Sequence, residues 1–242
     1  MKIGALMLAR SGSSFMNKNI HLINGYPLMA YGMMAAKQTN KIDCFFLSSD
    51  SEEYLEIGKN FGYQPIKRPE NISNERSKSD DAVSHAYTLN ADLMSCEIIV
   101  VQHANVATIY PDIILESIDI LQSDKKLTSV VPAHINNEYN PYRSFFIKES
   151  KNIINPSMKY NSSISPNRQD LPDAYFLDHS FWCIRSKNIL KKFNFCPWNS
   201  LGDKIYPLKT ENMFDVHDKK DIKKSEEWIN QNRERLNYLK WN

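Results

Sequence analysis

What this chain lacks bounds it before any motif is read. No apolar run approaches the ~20 residues needed to cross a bilayer. The apolar stretch at 3–9 is too short for a signal-peptide core and runs straight into Arg10. A cytoplasmic protein with no membrane partner is the expectation. There is no Cys-x-x-Cys: Cys44, Cys96, Cys183 and Cys196 are widely spaced, which argues against a zinc site and suits reduced, mostly buried thiols. Net charge is also nearly absent, since 30 Lys plus Arg oppose 28 Asp plus Glu for a formal +2. No global field therefore draws the chain to nucleic acid. No internal repeat or low-complexity linker interrupts the 242 residues, a length that allows one large domain or one domain with an appendage; the second is expected, a single domain over 1–242 carrying an arm.

What is present is alternation. Apolar runs at 3–9, 44–49, 97–102 and 128–132 read as strands, and helical patterns fall at 28–38, 52–61, 80–94 and 111–123, the last with Pro111 at its start. Strand and helix in turn imply an α/β fold, a mostly parallel sheet with helices on both faces. In such sheets ligands bind outside the carboxyl ends of the strands. From 136 to 173 the alternation stops, leaving one short strand-like run at 144–147, a stretch long enough to be a lid, an arm or an oligomerisation extension. A strand at 175–185, a short helix at 186–193 and a Lys-rich terminal helix at 219–233 complete the reading.

The turn after the first strand carries the chemistry. Ser11, Gly12 and Ser13 are small enough for backbone N–H groups to converge on anionic oxygens, and Arg10 and Lys18 add positive charge. The loop is neither a Walker A loop nor a dinucleotide fingerprint. An ordinary strand-to-helix turn is the alternative, because Gly and Ser are common turn residues. The second and third strands end in Ser48-Ser49-Asp50 and Gln102-His103-Ala104-Asn105, so all three turns are polar.

Read together, four blocks resemble the CMP-acylneuraminate synthetase family, the cytidylyltransferases that activate sialic, legionaminic and pseudaminic acids. They are Leu8-Ala9-Arg10-Ser11-Gly12-Ser13 with Asn17-Lys18-Asn19-Ile20; Ser48-Ser49-Asp50-Ser51-Glu52-Glu53 followed by Lys67-Arg68-Pro69-Glu70; Asn167-Arg168-Gln169-Asp170-Leu171-Pro172-Asp173-Ala174-Tyr175; and Phe214-Asp215-Val216-His217-Asp218 with Asp221. The third is the most specific. The resemblance implies transfer of CMP from CTP to a keto-deoxy acid sugar, a Rossmann-like domain, a magnesium requirement and a homodimer formed through 136–173. It places Leu8, Ala9, Arg10, Ser11, Gly12, Ser13, Asn19, Arg68 and Ser79 at the nucleotide. Gln102, Asn105, Arg143, Arg168, Gln169 and Asp178 fall on the sugar side, and Asp215 and His217 at the metal.

The chain departs from the family at three places. Apolar bulk follows Ser13 where a Lys is usual, His217 replaces a second Asp, and Gln102-His103-Ala104-Asn105-Val106 stands for Gln-Pro-Thr-Ser-Pro. Imidazole suits manganese better than magnesium, so His217 is either a ligand favouring Mn²⁺ over Mg²⁺ or a hydrogen-bond partner only.

The implied reaction is in-line attack of a hydroxyl on the α-phosphorus as pyrophosphate leaves, so Arg10, Lys18 and the loop amides would position reactants and offset charge. A guanidinium fork matches a carboxylate bidentately, which suits Arg168 to the sugar acid; the alternative is a surface pair with Asp170. Arg143 either joins it or solvates the irregular segment. Asp215 is either a metal ligand or a helix cap, with Asp218 the better placed cap. Phe176, Phe181 and Trp182 line the sugar's acyl groups or, as aromatics in strands usually do, belong to the core. The competing readings are a cytidylyltransferase for a shorter keto-deoxy sugar or another anionic acceptor, and a non-catalytic relative that binds a nucleotide or sugar or serves as an assembly subunit.

Overall fold

The structure is a computed structural model and describes residues 1–12, 17–148, 153–159, 165–211 and 213–239. In chain order its strands are β1 (Ile3–Ala9), β2 (Leu22–Ile23), β3 (Tyr26–Pro27), β4 (Cys44–Ser49), β5 (Gln64–Lys67), β6 (Ile98–His103), β7 (Ser129–Ile135), β8 (Phe145–Lys148), β9 (Ile153–Pro156), β10 (Tyr175–Leu177), β11 (Phe181–Arg185) and β12 (Ile205–Lys209). The helices are α1 (Leu28–Gln38), α2 (Glu52–Asn60), α3 (Ser79–Leu89), α4 (Ala91–Ser95), α5 (Pro111–Ser123) and α6 (Lys219–Gln231).

The main sheet runs in the order β10-β7-β11-β6-β1-β4-β5, with β12 also paired to β7. β4, β5, β6, β7 and β12 share the direction of β1, while β10 and β11 run against it. Every residue of β1 is buried because both neighbours and both faces are covered, which is why it reads as a continuous apolar run rather than an alternating one. On one face Ala5, Met7 and Val100 meet the apolar sides of α1, α5 and α6. On the other, Leu6, Leu8, Ile99 and Val101 pack against Ala82, Val83 and Ala86 of α3, Leu93 of α4, and Trp182.

The sequence expectations fail where local polar chemistry interrupts a pattern. The helix expected over 80–94 breaks at Asn90, whose extended backbone ends α3 and whose side chain accepts from the Asp92 and Leu93 N–H groups to cap α4. The strand expected over 175–185 is two strands interrupted at Asp178–Ser180, where His179 holds φ +54°; both pair antiparallel with β7, and β11 pairs with β6 as well. The helix expected over 186–193 is only a 3₁₀ turn, Ser186–Asn188, whose Ser186 hydroxyl donates to the Cys96 carbonyl at 2.5 Å. β5 and β12 were hidden by Pro65 and Pro207, which do not read as strand residues.

Because β7 runs with β1, the segment after Ile135 emerges at the sheet edge where β1, β4 and β6 end, and β10 brings the chain back from that same edge. Its root is tied: Asn137 donates to Asp173 at 3.0 Å and Asn140 to the Pro172 carbonyl at 2.8 Å. Farther out, the β8–β9 hairpin presents Phe146, Ile147 and Ile154 to solvent.

Gly202 holds φ +75°, and a Cβ there would lie 2.6 Å from the Cβ of Thr128. Thr128 in turn accepts from the Lys204 N–H at 2.9 Å at the entry to β12. Gly202→Ala should therefore cost about 1–3 kcal/mol, read as a lower urea midpoint at unchanged slope.

Candidate active site

A cleft of about 190 Å³ opens at the carboxyl ends of β1 and β6. Leu8, Arg10, Lys18 and Asn19 line one side; Arg68 with Ser77, Lys78, Ser79 and Ala82 another; His103, Ala104 and Asn105 a third. Strand register brings them together, since Leu8 pairs with Ser48 on one side and His103 on the other. The Ala104 N–H continues the pairing to the Leu8 carbonyl at 3.2 Å.

The first turn is clamped from both flanks. Asp50, just past β4, accepts from the Ser11 N–H at 2.9 Å and the Ser11 hydroxyl at 2.5 Å. The Asn19 amide donates to the Arg10 carbonyl at 3.1 Å. Arg68 is buried beside them and donates to the Ser48 hydroxyl at 3.1 Å and carbonyl at 2.7 Å. Burial, with Arg10 nearby, pulls its pKa down to about 10, against the pull of Asp50. Lys18 is buried too: burial lowers its pKa, Arg10 lowers it further, and Asp215 opposes. Nη1 of Arg10 is buried with no hydrogen-bond partner among the described residues. Cations kept close against desolvation and mutual repulsion make a site for an anion. The amino end of the 11-residue α3, at Ser79, adds its positive dipole end to the same cleft.

The opposing charge arrives from 110 residues away. Asn105 donates to Oδ2 of Asp215 at 3.0 Å, and the Val216 N–H returns to the Asn105 carbonyl at 2.8 Å. Thr108 grips Phe214 at both ends, its hydroxyl donating to the Phe214 carbonyl at 3.1 Å and accepting from the Phe214 N–H at 2.9 Å. Asp218, not Asp215, caps α6, in a capping box with Asp221. Asp215 is thus released from the capping role. Nε2 of His217 lies 3.0 Å from the same Oδ2, and no hydrogen bond among the described residues reaches Oδ1. Among the described residues no three His, Cys, Asp or Glu side chains are grouped to hold a metal ion. One carboxylate with an open oxygen fits a divalent ion that takes its other ligands from phosphate and water, not an all-protein cage.

The remaining expected residues fall elsewhere. Ala9 is buried on the opposite face of β1 from the cleft. Gly12 has open space where a Cβ would be, and Ser13 lies outside the described residues. Gln102 and Asp178, expected on the substrate side, are buried and bonded to interior partners. The Gln102 amide donates to the Gly32 carbonyl and accepts from the Tyr63 hydroxyl at 2.8 Å. Asp178 accepts from the Ser180 N–H and hydroxyl at one oxygen and from Thr210 at 2.7 Å at the other, fixing the crossing from β10 to β11. Arg143, Arg168 and Gln169 are exposed on the arm and do not line the cleft. Asp170 takes Ser165 and Asn167 as partners rather than Arg168.

Sequence reasoning missed Asp50 as the clamp of the loop, Ser77 and Lys78 as lining, and His103. Asp50 had a signal, a carboxylate closing the second strand. His103 had one as well: a titratable residue where the family places Pro.

Two outcomes test this geometry. Asp50→Ala should raise amide exchange at Ser11 at least about tenfold while leaving strand amides protected. Burial, with His179 beside it, drops His103 from its ordinary 6.5 to about 4. The unfolded chain therefore binds this proton first, so the stability it contributes is complete above pH 6.5 and is lost as pH falls towards 4. His103→Phe should flatten the decline in melting temperature across that window.

Comparison with known proteins gives a family match to Cytidylyltransferase over residues 5–239. A pseudaminic acid cytidylyltransferase of Campylobacter jejuni is 28% identical over 206 residues, covering 83% of this chain and 86% of that protein. The N-acylneuraminate cytidylyltransferase of Escherichia coli is 34% identical over 95 residues, 39% of this chain and 23% of that protein. That of Oncorhynchus mykiss is 26% identical over 184 residues, 74% of this chain, which spans 40% of its length. Among solved structures, a CMP:2-keto-3-deoxy-manno-octonic acid synthetase complexed with CTP superposes with a TM-score of 0.69 at 15% identity, covering 96% of this chain and 99% of that one. At that identity the likeness is one of fold. With the family match running over nearly its whole length, the chain belongs to the cytidylyltransferase family.

Proposed function

We propose that this chain transfers CMP from CTP to the anomeric hydroxyl of a nonulosonic, sialic-acid-like acid sugar, releasing pyrophosphate. One observation carries the reading: Arg10, Lys18 and Arg68 converge at the end of β1, with Asp215 brought beside them through Asn105. The pseudaminic and N-acylneuraminate cytidylyltransferases that resemble the chain support the substrate class.

In this reading the nucleoside enters over Leu8 and Ala82, with Arg68 and the amino end of α3 beside it. Arg10, Lys18 and the amides of the clamped loop take the phosphates. They hold the α-phosphorus in line with the attacking hydroxyl and offset charge on the equatorial and leaving oxygens. Asp215, with His217 against it, would hold Mg²⁺ or Mn²⁺, which when bound neutralises phosphate charge and polarises the phosphoryl oxygen. The arm supplies the acid-sugar side: Arg168, exposed at the edge where the strands end, grips the sugar's carboxylate as a bidentate fork, with Gln169 and Arg143 near it in sequence. The bare apolar hairpin β8–β9 pairs with a second copy, giving a homodimer through the arm. A cytoplasmic site of action suits free CTP, and among the described residues no helix is long and apolar enough to cross a membrane.

Pyrophosphate release from CTP, Mg²⁺ or Mn²⁺ and a panel of acid sugars tests the reading. Turnover with at least one nonulosonic acid is expected, and CTP binding without turnover under every metal would instead indicate a non-catalytic relative. Arg168→Ala should raise the acid-sugar KM about tenfold or more with CTP affinity unchanged; equal loss of both contradicts its role. Asp215→Asn should lower kcat about a hundredfold or more while CTP still binds. A monomer mass in solution removes the dimer.

A further inference from the structure

His103 is a residue the proposed chemistry leaves idle, and its surroundings are unusual. It closes β6 on the face opposite Gln102, beside Leu8 in register, and lines the cleft together with Leu8, Ala82 and Asn105. Behind it stands an aromatic wall. The Trp182 ring meets it edge-on at 4.8 Å, and the His179 ring does so at 6.4 Å. The Trp182 indole N–H donates to Nδ1 of His179 at 3.1 Å, so that nitrogen is unprotonated and the His179 proton sits on Nε2. The His179 ring packs on Trp198 at 4.3 Å.

Two features make this wall more than filler. His179 holds φ +54°, a left-handed conformation that costs a non-glycine residue of order 1 kcal/mol or more. Nδ1 of His103 is buried with no hydrogen-bond partner among the described residues. The packed rings and the His179 backbone hold the imidazole in place; Nδ1 is enclosed, so Nε2 is the nitrogen through which His103 can meet whatever enters the cleft.

The neighbours narrow that ligand group. The floor beside His103 is apolar, Leu8 and Ala82, and suits the face of a flat base, while Arg10, Lys18 and Arg68 supply charge for phosphate. An uncharged imidazole adds nothing to phosphate binding beside three cations. It does supply a single directional hydrogen bond of the kind a hydroxyl can either donate to or accept from.

Resting on the CTP reading above, we propose that His103 is a further specificity-determining residue of this cleft, presenting Nε2 to the ribose hydroxyls of the bound nucleotide, with His179, Trp182 and Trp198 as its positioning residues.

The test is calorimetric binding of CTP, 2′-deoxy-CTP and 3′-deoxy-CTP to the full chain and to His103→Phe, His103→Asn and His179→Gly, without any acid sugar. The wild-type protein should bind CTP about tenfold more tightly than at least one deoxy analogue. His103→Phe, which keeps the ring packing but has no nitrogen, should lose that preference, and His103→Asn should retain part of it. His179→Gly removes the ring while relieving the left-handed backbone, and should shrink the preference without lowering the melting temperature in proportion. Wild-type discrimination unchanged in both His103→Phe and His103→Asn overturns the proposal. Failure of the wild-type chain to bind CTP overturns the nucleotide reading itself and this one with it. CTP binding with no discrimination between ribose and either deoxyribose overturns this one alone.

Discussion

Positive charges crowded together out of water repel one another and lose hydration, so a fold that gathers Arg10, Lys18 and Arg68 must stabilise them by other means. Arg68 spends its donors on Ser48, while Asp215 and Asp50 supply negative potential from two directions. The central placement of β1 makes this possible. Only a strand with parallel partners on both sides brings three loop starts to one edge, each delivering a different piece of the site.

The frame of the molecule was legible because its central strands are apolar runs and its main helices have apolar faces at helical spacing. β1, α1, β4, α5 and α6 follow from pattern alone, since burial on two faces leaves no room for polar alternation. Strands carrying proline, β5 and β12, were not legible, because pairing on an outer strand tolerates what propensity discourages. The break at Asp178–Ser180 was likewise hidden. An aspartate bonding Ser180 nearby and Thr210 far along the chain competes with strand continuation, and the second contact lies outside any local window.

The cleft was legible in its cationic half, where Arg10, Lys18 and Asn19 flank one small-residue turn. It was less so where chemistry depends on which way a side chain faces. Gln102 and His103 are adjacent, yet alternation along β6 sends the amide towards α1 and the imidazole into the cleft. The same alternation puts Ala9 behind the sheet and Leu8 in front of it. Arg168 and Arg143, by contrast, belong to a segment rooted by Asn137 and Asn140 and are exposed away from the cleft lining.

The bracing between Asn105 and residues 214–216 works in both directions: strand end to carboxylate, and carboxylate to the capped start of α6. A change at Asp215 is therefore felt by the Asn105 amide that donates to it and by the backbone pairing of Val216 with Asn105 that seats 214–216 on the end of β6.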